Sequence, residues 1–314
     1  MANRKRRRKV RDVTGILLLD KPLGLSSNQT LQRAKRIFDA AKAGHTGNLD
    51  VMASGLLPLC FGEATKVSQY LLNADKRYLA DFTFGATTTT GDAEGEVVAT
   101  YAVDELDEAT LRRAMAGFVG DIEQVPPMYS ALKRDGQPLY KLAKQGIEVE
   151  RAARQVSIRE FELRAFRRGI ANVEVACSKG TYIRTLAEDL GTSLGNGAHV
   201  SALRRTTSGP FDIGQAVTLE KLEEIREVGG AEALDELLMP LDSPLNHLPG
   251  VRLPSEACTS VTNGQSVRLS APDYRGNVRM YDAADTFLGI GEVLADGRIA
   301  PRRLMRQIQA GTGN

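Results

Sequence analysis

Gly44-His-Thr-Gly-Asn-Leu-Asp-Val-Met-Ala-Ser-Gly55 holds one acid, Asp50, among glycines at 44, 47 and 55, with His45 five residues upstream of the acid. Glycine admits left-handed backbone and close approach of a ligand or another chain. Local sequence grammar leaves two readings open. One is a glycine-rich turn capped by an Asp. The other is a loop that presents a lone carboxylate to a bound molecule. The rest of the chain has to decide between them.

Upstream, residues 15–20 read as a buried strand, stopped by the Lys21-Pro22-Leu23-Gly24 turn. Ser26 or Ser27 can cap a helix with Leu31, Ala34, Ile37, Phe38 and Ala41 on one face. Downstream, residues 56–59 are a short apolar run and 64–72 have helical spacing. Residues 77–85 alternate as a strand, 87–95 read as a polar loop, and 106–118 as a helix. The segment 124–154 has a double proline, two glycines and six basic residues against three acids, too polar for core. It reads as a solvent loop or as a flap that closes on a ligand. Val173 to Cys177 alternates as a strand, Ser178-Lys179-Gly180 turns, and a helix follows with Arg184 in its first turn. Sites are commonly built at strand ends of this kind. Pro240, Pro244, Pro249 and Pro254 mark a boundary. Beyond it, short strand-like runs at 266–269, 278–282 and 287–293 predict a small β-rich domain, basic near its end.

The chain has 314 residues, 42% apolar and 25% charged, the composition of an ordinary soluble protein with room for two domains. No apolar run is long enough to span a bilayer, and no signal-peptide core follows the basic start. Three scattered cysteines, Cys60, Cys177 and Cys258, predict a reducing compartment, the cytoplasm, and no disulfide framework. Paired metal-ligand spacings, phosphate-binding glycine loops and serine elbows are absent, so no metal or nucleotide cofactor is expected. Seven of the 41 basic residues precede the first acid, Asp12, which leaves 34 facing 39 acids, a net −5 for residues 12–314. A polyanion partner is therefore implied by the arm at 1–12, read as flexible and basic, rather than by the body. A solvated tail or a nuclear-localisation patch is the alternative.

The order of pieces resembles the TruB family of transfer-RNA pseudouridine synthases. The stretches that carry the resemblance are Leu18-Leu-Asp-Lys-Pro-Leu-Gly-Leu-Ser-Ser27, Gly44-His-Thr-Gly-Asn-Leu-Asp50, Gly62-Glu-Ala-Thr-Lys66 and Asp75-Lys-Arg-Tyr78. They continue with Pro127-Met-Tyr-Ser-Ala-Leu-Lys133, Cys177-Ser-Lys-Gly-Thr-Tyr-Ile-Arg184 and Leu203-Arg-Arg205. Val51-Met-Ala-Ser54 departs from the family's usual Pro-Leu-Ala-Thr, which shapes the loop without supplying the acid.

The resemblance implies an α+β fold: a mixed, largely antiparallel central sheet flanked by helices at 13–245, with an RNA-clamping insertion at about 124–154. A PUA-like β-barrel RNA-binding domain is implied at 250–310. It implies an isomerase that flips out uridine 55 of the transfer-RNA T-loop and rejoins it through carbon as pseudouridine. The expected partner is the T-arm stem-loop, and the expected enzyme is a monomer without metal or cofactor. Catalytic roles map onto Asp50, Tyr78 and Arg184, and RNA-binding roles onto His45, Tyr182, Leu203, Lys21 and Lys133. Two other classes remain: an RNA-binding or folding protein, and a glycosidase-like hydrolase. The hydrolase needs a second carboxylate near Asp50, which only folding of Asp92 toward it could supply.

Overall fold

The unbroken apolar run near the start of the chain forms strand β1 (Gly15–Lys21). Ile16 and Leu18 belong to one apolar cluster, Leu17 and Leu19 to another. A strand covered on both faces has no reason to alternate polar and apolar residues. The structure is a computed structural model and describes residues 10–103, 105–268 and 275–306.

After β1 come α1 (Ser27–Ile37), β2 (Ala43–His45), β3 (Ala53–Phe61), α2 (Ser68–Asn73) and β4 (Lys76–Phe84). A hairpin of β5 (Ala86–Thr88) and β6 (Val97–Thr100) precedes α3 (Glu108–Ala116) and β7 (Gly120–Gln124). The polar insertion carries β8 (Lys133–Arg134), β9 (Gln137–Pro138) and α4 (Leu139–Ala143). Then follow β10 (Arg154–Arg167), β11 (Ile170–Cys177), α5 (Ile183–Ser193), β12 (Ala198–Ser208), β13 (Phe211–Asp212) and α6 (Leu219–Asp235). Beyond the prolines lie β14 (Gly250–Arg252), α7 (Ser255–Thr262), β15 (Val267–Arg268), β16 (Gly276–Tyr281), β17 (Phe287–Val293) and β18 (Arg298–Leu304).

The central sheet runs β1-β3-β12-β4-β11-β10-β7, with β2 paired to β3 and β13 to β12. Only β3 and β12 pair in parallel; the other pairs of this sheet are antiparallel, so the expected mixed sheet is present. The strand order matters for the site. It sets β12 between β3, which leaves the glycine loop, and β4, which carries Tyr78. Helices α1 and α6 cover one face of the β1–β3 end through Leu31, Leu222 and Leu234, with Phe38, the C-cap residue of α1, beside them. Leu111, Met115, Leu186 and Leu190 of α3 and α5 close the core over β4, β10 and β11.

The C-terminal strands form a five-stranded half-barrel, ordered β14-β16-β17-β18-β15, as expected of a PUA-like module. Ile290 and Met305 share a cluster with Ile16, Leu18 and Leu56, so this module packs on the outer face of β1 and β3. The Lys66 ammonium donates to the Leu304 carbonyl at 2.9 Å, and the Arg306 amide donates to Glu63 at 2.6 Å.

Several readings need correction. The helix expected over 64–72 is a 3₁₀ turn (Gly62–Lys66) followed by α2. The buried Lys76 ammonium ends α2 by taking the carbonyls of Leu71, Leu72 and Ala74 at 3.2, 2.9 and 2.5 Å. The polar loop expected at 87–95 is present: apart from Thr87 and Thr88 of β5 it is the turn that joins β5 to β6, with Asp92 buried inside it. Most of the basic arm lies outside the described residues, but Arg11 does not hang free. Its amide donates to the Asp39 carbonyl at 2.7 Å and its guanidinium pairs with Asp235. Helix α6 and strand β12 went unread. A Gly229-Gly230 break inside α6, with Gly230 at φ 73°, blurs its helical pattern.

Candidate active site

The glycine loop between β2 and β3 is pinned from every side. Ser26, with Gln29, forms a capping box that starts α1. This frees Ser27, whose buried hydroxyl accepts from the Leu49 amide at 2.8 Å and donates to the Leu49 carbonyl at 3.1 Å. Thr46 is buried and bound to the Pro58 carbonyl. The Lys21 ammonium donates to the carbonyls of Ala53 and Pro22 at 2.5 and 2.9 Å. Gly55 has φ +104°, and a Cβ there would meet the Arg205 carbonyl oxygen at 2.3 Å. The loop thus rests directly on the backbone of β12, and Asp50 is held rather than presented on a free turn.

Arg184, in the first turn of α5, is only 5% exposed and gathers three other segments. Its Nε lies 3.0 Å from the Asp50 carboxylate, and Nη1 lies 3.3 Å from that of Asp92. Nη1 also donates to the Thr90 carbonyl at 2.9 Å, and Nη2 to the Tyr129 carbonyl at 2.7 Å. A planar fork suits this set, since each edge of the guanidinium meets different acceptors. Gly91, at φ +71°, lets the β5/β6 hairpin approach α5; a Cβ there would lie 2.8 Å from Glu188.

Burial pushes the Asp50 carboxyl above its ordinary pKa; Arg184 pulls it back, Asp92 adds to the rise, and Lys21 opposes it. The side chain still keeps 41% of its surface open, so it borders a space that a ligand can enter. Burial lowers Lys21 to about 8 and holds His45 below the usual imidazole value, which leaves the ring neutral at pH 7. The His45 Nδ1–H donates to the Gly47 carbonyl at 3.1 Å.

Tyr78, on the core face of β4, lies in one cluster with Leu49, Ile183 and Leu203. Burial pushes its phenol up, and the charge of Arg205 opposes that push. Tyr182 is the N-cap residue of α5. The buried Gln124 amide clasps it, accepting from the Tyr182 amide at 3.0 Å and donating to its carbonyl at 3.3 Å. The fold therefore brings Asp50, Arg184, Tyr78, Tyr182, Leu203 and His45 to one place around the glycine loop. Lys21 is there too, but it is fully buried and supports the loop instead of offering a surface to RNA. Lys133 stands exposed on the β8/β9 hairpin, outside this cluster.

Arg184 on its own reads as a surface helix arginine; the structure buries it. Asp92 joins the site through Arg184, yet it is 3% exposed and already accepts from the Thr90 hydroxyl at 2.5 Å and the Glu94 amide at 3.1 Å. An acid enclosed in this way cannot face a substrate across from Asp50, so the paired carboxylates of a hydrolase are not offered. The sequence hint to Asp92 is an acid directly after a glycine. Arg205 carries no role in the sequence reading, although two consecutive arginines in a strand must face opposite sides. Arg204 reaches out to Asp20 at 2.6 Å, and Arg205 is buried.

Three family models match the chain in sequence. The N-terminal domain of TruB family pseudouridylate synthase matches residues 35–183. The tRNA pseudouridylate synthase B C-terminal domain matches 184–246, and the C-terminal model of pseudouridine synthase II TruB matches 249–305. A tRNA pseudouridine synthase B of Pseudomonas aeruginosa (strain UCBPP-PA14) is 57% identical over 94% of this chain and 97% of its own length. One from Stutzerimonas stutzeri (strain A1501) is 59% identical over the same shares. Among solved structures, an H/ACA RNP bound to a substrate RNA containing 2'-deoxyuridine contains a chain that superposes with a TM-score of 0.71 at 26% identity. The match covers 94% of this chain and 86% of that one. With family models spanning both sheets and relatives above half identity along nearly its whole length, the chain belongs to the TruB family of pseudouridylate synthases, which are isomerases.

Proposed function

We propose that this protein converts uridine 55 in the T-loop of transfer RNA to pseudouridine, with Asp50 as the reacting carboxylate. The observation that carries this reading is the pair between half-open Asp50 and buried Arg184 at 3.0 Å. In the reaction the C1′–N1 bond breaks, the uracil turns, C1′ bonds to C5, the C5 proton leaves and N1 takes up a proton in its place. The atoms balance within one nucleotide, without oxidant or reductant. Whether the carboxylate acts as nucleophile or base, it has to be ionised. Arg184 and Lys21 favour that form, while the buried surroundings keep it poorly solvated and reactive.

A uridine stacked in an RNA loop has to be flipped out before it can meet Asp50. Tyr78 supplies an aromatic face for the uracil, Tyr182 and Leu203 wall the pocket, and His45 fills the gap left in the loop. Lys133 and the exposed polar insertion grip the T-arm, with the insertion folding further on binding. The relatives' name, tRNA pseudouridine synthase B, supports the substrate class.

The test is pseudouridine formation in a T-arm RNA by wild type and Asp50→Asn. Wild type is expected to modify the one uridine and the variant to be inactive. Turnover by the Asn variant, or modification of a different uridine, overturns the reading. Protease digestion of the insertion, slowed by added T-arm RNA, tests the clamp, and equal rates would remove it.

A further inference from the structure

The buried cation on β12 stands out. Arg205 is 1% exposed and ranks among the largest fully buried side chains. Among the described residues its acceptors are carbonyls in place of a carboxylate. Nε donates to Leu56 at 2.7 Å and Nη1 to Asn48 at 3.5 Å. Nη2 is buried with no hydrogen-bond partner. A guanidinium placed so deep without an anion is costly. A purely structural need would be met more cheaply by an apolar side chain of similar volume, which calls for another reason to keep the charge.

Its surroundings supply one. Asn48 and Leu56 bracket Asp50 in sequence, so the two carbonyls that Arg205 holds lie on either side of the reacting acid. In the β12–β4 ladder Arg205 is directly opposite Tyr78, and in the β12–β3 ladder it is opposite Gly55. The side chain thus touches the loop that carries the acid, while its backbone pairs with the strand that carries the aromatic. Its charge also falls on Lys21, His45 and Lys76, and eases the ionisation of Tyr78 against burial.

We propose that Arg205 is the positioning residue of this site: it holds the Asp50 loop and Tyr78 at one fixed separation and sets a cation beside the phenol. This inference rests on the proposed reaction and names a further residue for it. Being buried, Arg205 cannot reach an RNA phosphate.

Arg205→Met and Arg205→Lys, each with and without Tyr78→Phe, provide the test. Single-turnover pseudouridine formation, T-arm RNA affinity, its salt dependence and thermal melting are measured. Wild-type activity on the T-arm RNA is the control: if it is missing, the proposed function fails, not this inference. Arg205→Met is expected to slow the chemical step about 100-fold, the scale of an ångström of misplacement, with RNA affinity and its salt slope unchanged. Arg205→Lys keeps the charge but cannot hold both carbonyls, so it is expected to fold and to recover only part of the rate. If Met unfolds the chain, Lys alone decides. Combined with Tyr78→Phe, the Arg205 losses are expected to be smaller than the product of the separate losses. A Lys variant as fast as wild type overturns the proposal. So does any folded variant whose affinity falls as far as its rate, or a multiplicative double mutant.

Discussion

Arg184→Lys separates charge from geometry at the centre of the site. Lysine keeps the positive charge but has a single nitrogen. The guanidinium meets Asp50 at 3.0 Å, Asp92 at 3.3 Å, the Thr90 carbonyl at 2.9 Å and the Tyr129 carbonyl at 2.7 Å, from three separate nitrogens. One ammonium cannot reach all four, and the two carboxylates meet different nitrogens, Nε and Nη1, so the expected result is that one carboxylate loses its partner. If it is Asp92, a buried charge is left with only the Thr90 hydroxyl and the Glu94 amide. Breaking a buried pair costs about 3–5 kcal/mol, and those two remaining hydrogen bonds argue for the lower end. A loss of about 3 kcal/mol corresponds to a Tm lower by roughly 5 °C for a chain of 314 residues. If Asp50 is the acid that loses out, the penalty appears in catalysis, at about 100- to 1000-fold in the chemical step. Scanning fluorimetry and single-turnover assays on T-arm RNA read the two effects, and filter binding checks that affinity holds. A lysine variant with wild-type melting and wild-type rate would refute the argument that the fork geometry organises the site.

Further expectations follow from the same geometry. Asp50→Asn should be no less stable than wild type at neutral pH, because burial raises the folded-state pKa of Asp50. A raised carboxyl favours folding below its unfolded value, near pH 4, and that contribution is lost as pH climbs through the folded value. The melting difference, variant minus wild type, should therefore grow upward from about pH 4 and flatten only once the pH has passed the raised folded value; a variant that melts lower at pH 7 contradicts this. Gly55→Ala would put a Cβ 2.3 Å from the Arg205 carbonyl oxygen and strain a backbone at φ +104°. The expected loss is about 2–5 kcal/mol in denaturant unfolding, together with activity, and near-wild-type stability would show that β3 and β12 can part.

Much of the fold lies in short-range patterns. The alternation in β4, the Ser26 cap of α1 and the strand-turn-helix leading to Arg184 depend on neighbours within a turn or a few residues, and they read directly. So did the order of motifs around Asp50. The elements that went unread have a local cause. Helix α6 carries a glycine break, and β18 hides its strand pattern under arginines that pair with Asp296 and Glu292.

What sequence alone determined is the identity of the chemistry-bearing loop, with one acid, its glycines and the motifs that follow in order. Tertiary structure decided which groups that acid meets. Arg184 reaches Thr90 and Tyr129 across 94 and 55 residues, and Arg205 reaches Leu56 across 149. The Arg205 contact follows from β12 lying between β3 and β4, and the Arg184 contacts from α5 packing beside the β5/β6 hairpin and the insertion, arrangements set by how whole elements bury their faces and carried by no local pattern. For the same reason Lys21 reads from sequence as a contact for RNA and folds as a buried brace. A charged side chain shows its type in the sequence, but its solvation, and so its role, belongs to the packed structure.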